Sequence, residues 1–290
     1  MIKDFNYLRP ANVAEALDLI GKHQDDYKVI CGGQSLLILL RQGLVTTDYL
    51  IDIKRLDELN YIKFDAKSGL KLGATATHRS IEKSDVVAKK YKVLVEMEHK
   101  LAHIQVRNWG TIGGNLAHGD AAGDPAPVLM ALGATLKLGK AGKTREIPLD
   151  EFYTDLFETA LENDELILEV QVPPPAPKTA TMYEKFNLLE SDQGIVSVAA
   201  SVTLNGAGCK EARIVLGNSG PTAMRAKKAE AALKGGKLSD ALLEKVGKAA
   251  SEEAEPVADI HASEDFRRHL VYVLTKRMVK KAWEQAAKTA

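Results

Sequence analysis

Apolar positions recur along this chain at two periods, and each period marks an element. Val13, Ala16, Leu17 and Ile20 follow one another at helical spacing behind Asn12, with Glu15 three residues beyond it in a capping-box arrangement. Gly21 supplies the expected stop of that helix. Residues 27–31 read as a short buried strand, 35–42 as a helix with Gly43 as its cap, and 49–53 as a second strand, so the N-terminal stretch is a βαβ-like unit. Residues 70–74 predict a strand, 80–86 and 93–101 helices, and 134–138 with 144–147 a hairpin around Gly139 and Gly142. In 165–172, Leu166, Leu168, Val170 and Val172 alternate with Ile167, Glu169 and Gln171, the period of a strand. The proline-rich run 173–178 is a stiff linker and the clearest boundary. Beyond it lie strands at 195–204 and 212–216, then helices at about 226–233, 239–250 and 264–286. The last carries Phe266, Leu270, Val273, Leu274 and Met278 on one stripe. Strands followed by helices within each part define an α+β architecture with expected units 1–57, 58–177 and 178–290.

Composition narrows the function. A chain of 290 residues suits two or three units, and 39 basic against 39 acidic residues give no field that would draw it to nucleic acid or anionic lipid. No apolar run approaches the roughly 20 residues that span a bilayer. Met1 to Phe5 lacks a signal-peptide pattern, so a cytoplasmic location is expected. Cys31 and Cys209 are the only cysteines, which excludes a disulfide framework and a four-thiolate cluster or zinc site built by this chain alone. An electron carrier held here is therefore organic.

The candidate chemistry lies in two double-glycine segments. One is Cys31-Gly32-Gly33-Gln34-Ser35, directly after Val29-Ile30; the other is Thr111-Ile112-Gly113-Gly114-Asn115. Glycine lets backbone amides approach a diphosphate closely, and a strand, glycine loop and helix in that order leave free amides at the loop. Gln34, Ser35, Thr111 and Asn115 add hydrogen-bonding side chains. Two such loops suit the two phosphates of one dinucleotide. The first lacks the G-x-G-x-x-G spacing of a Rossmann site, and neither ends in Gly-Lys-Ser/Thr. Asp52 reads as a strand-end acid facing solvent. His118, Asp120 and Asp124 are read as a polar loop rather than a metal site, with Asp124 able to accept from ribose hydroxyls. His78 and His103 read as structural histidines, and no nucleophile or acid–base grouping stands out, so a bound cofactor carries the chemistry.

The order of these segments resembles a known family. Phe5-Asn6-Tyr7-Leu8-Arg9-Pro10, the first glycine loop through Leu36-Leu37, Leu50-Ile51-Asp52-Ile53, Leu72-Gly73-Ala74-Thr75-Ala76-Thr77 and Val106-Arg107-Asn108-Trp109-Gly110 leading into the second are similar to the FAD-binding medium subunit of molybdenum hydroxylases, the group of the carbon monoxide dehydrogenase flavoprotein and the flavin segment of xanthine dehydrogenase. So are Arg213-Ile214-Val215-Leu216-Gly217 and Ser263-Glu264-Asp265-Phe266-Arg267-Arg268-His269-Leu270. The resemblance implies a two-subdomain FAD domain of vanillyl-alcohol-oxidase type followed by a smaller α+β domain. It implies that Val29, Ile30, Cys31, Gly32, Gly33, Gln34, Ser35 and Leu36 bind the diphosphate, with Thr111, Ile112, Gly113, Gly114 and Asn115 as the second loop. Asp124 holds the adenosine side, Leu101 and Ile167 pack on the cofactor, and Lys185 stands near the flavin.

The implied function is electron transfer. A large molybdenum-cofactor subunit oxidises substrate, a small subunit with two [2Fe–2S] clusters relays the electrons, and this chain passes them through FAD to an external acceptor, the whole as a dimer of heterotrimers. Two departures stand out. An arginine four residues after the lysine in many members is Leu189 here, while Asp192 keeps its place. The cysteine-bearing insertion of hydroxybenzoyl-CoA-reducing relatives is absent. The rival expectations are a self-sufficient FAD oxidase or dehydrogenase of the same fold, and a cofactor-free binding module.

Overall fold

Three larger sheets and a two-stranded one make up the strands of the structure, a computed structural model that describes residues 3–24 and 26–289. Met1 and Ile2, part of the opening stretch read above for targeting, lie outside the described residues. The first unit contains β1 (Asn6–Leu8), α1 (Val13–Lys22), β2 (Tyr27–Ile30), α2 (Leu36–Gln42) and β3 (Tyr49–Asp52), with the three strands parallel in the order β1-β3-β2. Asn12 caps α1 by accepting from the Glu15 amide, and Glu15 returns to the Ala11 amide. Ala16, Leu17 and Ile20 press on Ile51, Ile53 and Leu56. Gly21 does not stop this helix: it faces open space, α1 runs to Lys22, and the His23 amide closes the end on the Leu19 and Ile20 carbonyls.

The second unit is a five-stranded antiparallel sheet under a layer of short helices. Its elements are β4 (Ile62–Asp65), β5 (Gly69–Gly73), α3 (His78–Glu82), α4 (Asp85–Lys90), α5 (Lys92–Lys100), α6 (Ile104–Trp109), α7 (Ile112–His118), α8 (Pro125–Ala131), β6 (Thr135–Lys140), β7 (Lys143–Pro148), the small β8 (Tyr153–Asp155) and β9 (Glu158–Thr159), and β10 (Leu166–Val172). The strand order is β4-β5-β10-β6-β7. Leu70, Leu72, Leu136, Leu138 and Val170 meet Leu94, Met97, Ile112, Leu116 and Leu129 in one core. The helix expected over 80–86 is two helices, because Ser84 caps a new one by accepting from the Val87 amide. The second glycine segment, read as a loop, is the first turn of α7.

The third unit is the antiparallel sheet β11 (Thr179–Phe186), β12 (Val196–Asn205), β13 (Gly208–Gly217) and β14 (Met224–Arg225), followed by α9 (Lys227–Leu233), α10 (Asp240–Glu253) and α11 (Glu264–Lys288). Both faces of β12 are covered, which explains its nearly unbroken apolar run. Val198, Ala200 and Val202 face Leu270, Leu274 and Met278, whereas Ala199, with Val215 and Tyr183, joins the core of the second unit. The third sheet is thus packed on α8 as well as on its own helices.

Candidate functional site

The two glycine segments meet. Parallel β2 delivers Cys31 to Ser35 beyond its C-terminal end, and a Cβ on Gly32 would lie 2.5 Å from the Trp109 carbonyl oxygen and 2.7 Å from Gly110 Cα. Only glycine allows this crossing. Gly33 has φ +69°, the left-handed turn that aims the chain into α2, and Gln34 Nε2 donates to the Gly32 carbonyl at 3.0 Å. Burial pushes the Cys31 thiol pKa up, with Thr111 and the Lys54 charge opposing it. Ser35 occupies the cap position of α2 without a capping hydrogen bond from its hydroxyl.

The second segment is fixed from behind. The His78 amide donates to the Gly110 carbonyl, the Ile112 amide to Ala76 and the Gly113 amide to Ala74, at 2.9–3.0 Å. Gly113 lies so close to Ala74 that a Cβ would stand 2.6 Å from the Ala74 methyl. Gly114 is different: it is exposed, and a Cβ there would meet only the Thr111 hydroxyl that caps the helix. Asn115 Oδ1 turns toward Gly123, and the Ala74 amide binds the Leu168 carbonyl, which places buried Ile167 on the neighbouring strand.

Asp124, Lys185 and Leu101 come together at the seam between the second and third units. Lys185 Nζ donates to Asp124 Oδ2 at 2.8 Å and to the carbonyl of Lys100, the residue before Leu101, at 2.7 Å. The Tyr183 hydroxyl donates to Asp124 Oδ1 at 2.5 Å. Lys185 and Asp124 side chains are only 2% and 7% exposed, so each charge depends on the other. Burial pushes the Asp124 carboxyl upward while Lys185 and Tyr183 pull it back, and the Tyr183 hydroxyl is driven well above its usual range by burial and by the carboxylate.

A second buried pair adjoins this seam. His78 Nδ1 lies 3.0–3.1 Å from both oxygens of Glu98, and neither side chain is more than 2% exposed. Burial raises the Glu98 carboxyl, opposed by His78 and assisted by the nearby negative charge of Asp124. His78 also packs on Gly110, so this pair backs the second glycine segment. Reading His78 as a lone structural histidine missed it, since Glu98 stands on another helix and no spacing rule joins them. His103 caps α6 by position without a side-chain bond.

The remaining polar residues organise loops. Asp120 accepts from the Ala122 amide and from Gln193, and His118 packs on Phe157. Among the described residues no group of three histidine, cysteine or acidic side chains is disposed to hold a metal ion. Asp52 is not a free solvent-facing acid: it accepts from the Tyr7 hydroxyl and from the Lys54 amide. Leu189 is 69% exposed on the loop after β11, and Asp192 on the same loop lines a pocket of about 380 Å³ with Asp259 and Arg267.

The chain matches two family models in succession: FAD binding domain in molybdopterin dehydrogenase over residues 3–175, and CO dehydrogenase flavoprotein C-terminal domain over 181–282. It is 32% identical to the glyceraldehyde dehydrogenase medium chain of Sulfolobus acidocaldarius, covering 96% of this chain and 98% of that one. It is 34% identical to the alpha subunit of the 6-hydroxypseudooxynicotine dehydrogenase complex of Paenarthrobacter nicotinovorans, covering 98% and 96%. The carbon monoxide dehydrogenase of Hydrogenophaga pseudoflava contains a chain that superposes with a TM-score of 0.95 at 32% identity, covering 98% and 99%. The protein belongs to the FAD-binding medium-subunit family of molybdenum hydroxylases, and it is an oxidoreductase subunit whose cofactor is FAD. No helix among the described residues is long and apolar enough to cross a membrane.

Proposed function

We propose that this chain is the electron-transfer subunit of a cytoplasmic dimer of heterotrimers. It takes electrons from the [2Fe–2S] clusters of a small partner subunit, fed by a large molybdenum-cofactor subunit, and delivers them to an external acceptor. The observation that carries the reading is the meeting of the two glycine segments, with the bare, exposed face of Gly114 beside it. The chain serves the role as units 1–57, 58–177 and 178–290, the diphosphate lying on residues 29–36 and 111–115. FAD supplies the electron chemistry when bound. The protein's own groups seat and insulate it. Lys185, fixed by Asp124 and the Lys100 carbonyl, holds a positive charge at the seam, and Leu101 and Ile167 keep water from it. The relatives' names as medium chains or subunits of larger dehydrogenases support the partners.

The test is the visible spectrum of gently purified protein, with the released cofactor identified by mass spectrometry and copurifying chains by size. Stoichiometric FAD, lost in Gly114→Val with the fold retained, is the expected result. A colourless wild type that fails to take up added FAD sinks the reading. FAD retained without two further chains, one of them rich in cysteine, sinks the assembly.

A further inference from the structure

The two glycine segments contain no cation; the polar groups of residues 31–36 and 110–115 are backbone amides and carbonyls, hydroxyls, carboxamides and the Cys31 thiol. A diphosphate brings two negative charges, and dipoles alone neutralise them incompletely in a half-buried place. The cation nearest the crossing is Lys54, two residues beyond the end of β3. Its backbone is pinned, because Asp52 Oδ1 accepts the Lys54 amide at 2.8 Å while the other carboxylate oxygen takes the Tyr7 hydroxyl. Asp52 is thereby occupied and does not pair with the ammonium. Lys54 Nζ instead donates to the Trp109 carbonyl at 2.7 Å and lies 5.8 Å from the centre of the Trp109 ring. That carbonyl is the oxygen against which Gly32 closes. One ammonium therefore touches the point where the two segments cross.

Two other cations of these units have carboxylate partners. Arg107 is bound by Glu82, and Lys185 by Asp124. Lys54 Nζ enters no ion pair among the described residues, and burial lowers its pKa against the opposing pull of Cys31 and the Asp52 charge. A half-buried ammonium that touches a carbonyl and an aromatic face, with Asp52 near but not in direct contact, can still take an anion directly.

We propose that Lys54 is a positioning residue for the cofactor: it clasps the two glycine segments through the Trp109 carbonyl and supplies the positive charge that the diphosphate meets there. The inference rests on the reading that FAD spans these segments. It adds a residue outside both glycine segments, and it divides the residue's work into a clasp and a charge, which substitutions separate. Lys54→Met removes both. Lys54→Gln keeps a donor for the Trp109 carbonyl and removes the charge. Lys54→Arg keeps the charge.

The experiment is FAD dissociation from the holoprotein, followed by recovery of flavin fluorescence on dilution at several salt concentrations, beside the melting temperature of each cofactor-stripped variant. Loss of one charge-assisted contact predicts dissociation on the order of tenfold faster in Lys54→Met at low salt. Salt screens the missing attraction, so the gap narrows as salt rises. Lys54→Gln keeps most of the defect, and Lys54→Arg restores retention to within about threefold. The stripped variants melt close to wild type. Wild-type retention and wild-type salt dependence in both neutral variants overturn the proposal, as does Lys54→Gln matching wild type, which leaves a clasp alone. A drop in the melting temperature of the stripped proteins with unchanged salt dependence also overturns it. Those results leave FAD binding intact; a wild type that takes up no FAD overturns the underlying reading and this one together.

Discussion

The two double-glycine segments look alike as sequence and do different work. In the first, Gly32 makes room for another stretch of backbone, and Gly33 makes a left-handed turn. In the second, Gly113 makes room for Ala74, and Gly114, open to solvent, makes room only for the Thr111 hydroxyl that caps α7. The first segment is backed by apolar strands, the second by a buried ionisable pair, His78 and Glu98. Glycine in a nucleotide site is therefore of two kinds. Some glycines allow the chain to cross itself, and others leave a face clear. Only substitution tells them apart, since each kind fails in its own way.

The largest effect is expected behind the second segment. His78→Ala leaves Glu98 buried without its partner, a loss of about 3–5 kcal/mol if the carboxylate stays charged. A carboxyl whose pKa is raised in the native state holds its proton more tightly there than in the unfolded chain. Its stabilising share is present at low pH and lost as pH rises above the ordinary value of 4.5. Denaturant titrations at pH 5 and pH 8 should show His78→Ala closer to wild type at the lower pH. Equal losses at both would show that the backing is packing rather than charge.

Next comes Gly32→Ala. The added methyl meets backbone at 2.5 and 2.7 Å, which cannot rotate away, so a loss of about 1–3 kcal/mol is expected in protein stripped of FAD. Gly114→Ala breaks the comparison if it behaves the same way. In this exposed helical turn the gain in helix propensity is set against the 2.9 Å approach to the capping Thr111 hydroxyl, so the stripped protein is expected within about 1 kcal/mol of wild type. The expected signature is an almost unchanged melting temperature with weakened FAD retention, read in the same two assays.

The smallest effect belongs to the third unit, away from both segments. Asp259, paired with Arg267 at 2.6 Å, has its carboxyl lowered from 3.8 to about 2. A depressed carboxyl stabilises above its unfolded value and loses that contribution as pH falls through this window. Asp259→Asn should flatten the acid limb of the unfolding profile between pH 4 and 2 and leave FAD binding untouched.

Much of this arrangement was legible from residue spacing. The Asn12–Glu15 cap, the hairpin of β6 and β7 turned at Gly142 and the long α11 all form where periodicity and turn chemistry place them. The failures share a cause. Gly113 and Gly114 are poor helix formers, so 111–115 reads as loop, yet Thr111 caps α7 and three backbone hydrogen bonds to 74–78 hold the turn. Gly21, facing open space, does not stop α1, whose end the His23 amide closes on the Leu19 and Ile20 carbonyls. The strands β1 and β4 and the helix α6 went unread because they are short and take their order from neighbours. In the site, glycines announce themselves. Lys54 and the pairs His78–Glu98 and Asp124–Lys185 do not, since their members lie 20 to 61 residues from their partners.

The seam also sets an order of events during synthesis. The ribosome makes Asp124 sixty-one residues before Lys185, and both glycine segments earlier still. A nascent chain ending before β11 has both glycine segments complete but lacks Tyr183 and Lys185, the partners of Asp124. Only when β11 docks does Lys185 reach the Lys100 carbonyl and shut the acid away. The seam between the second and third units is therefore among the last contacts the growing chain can close.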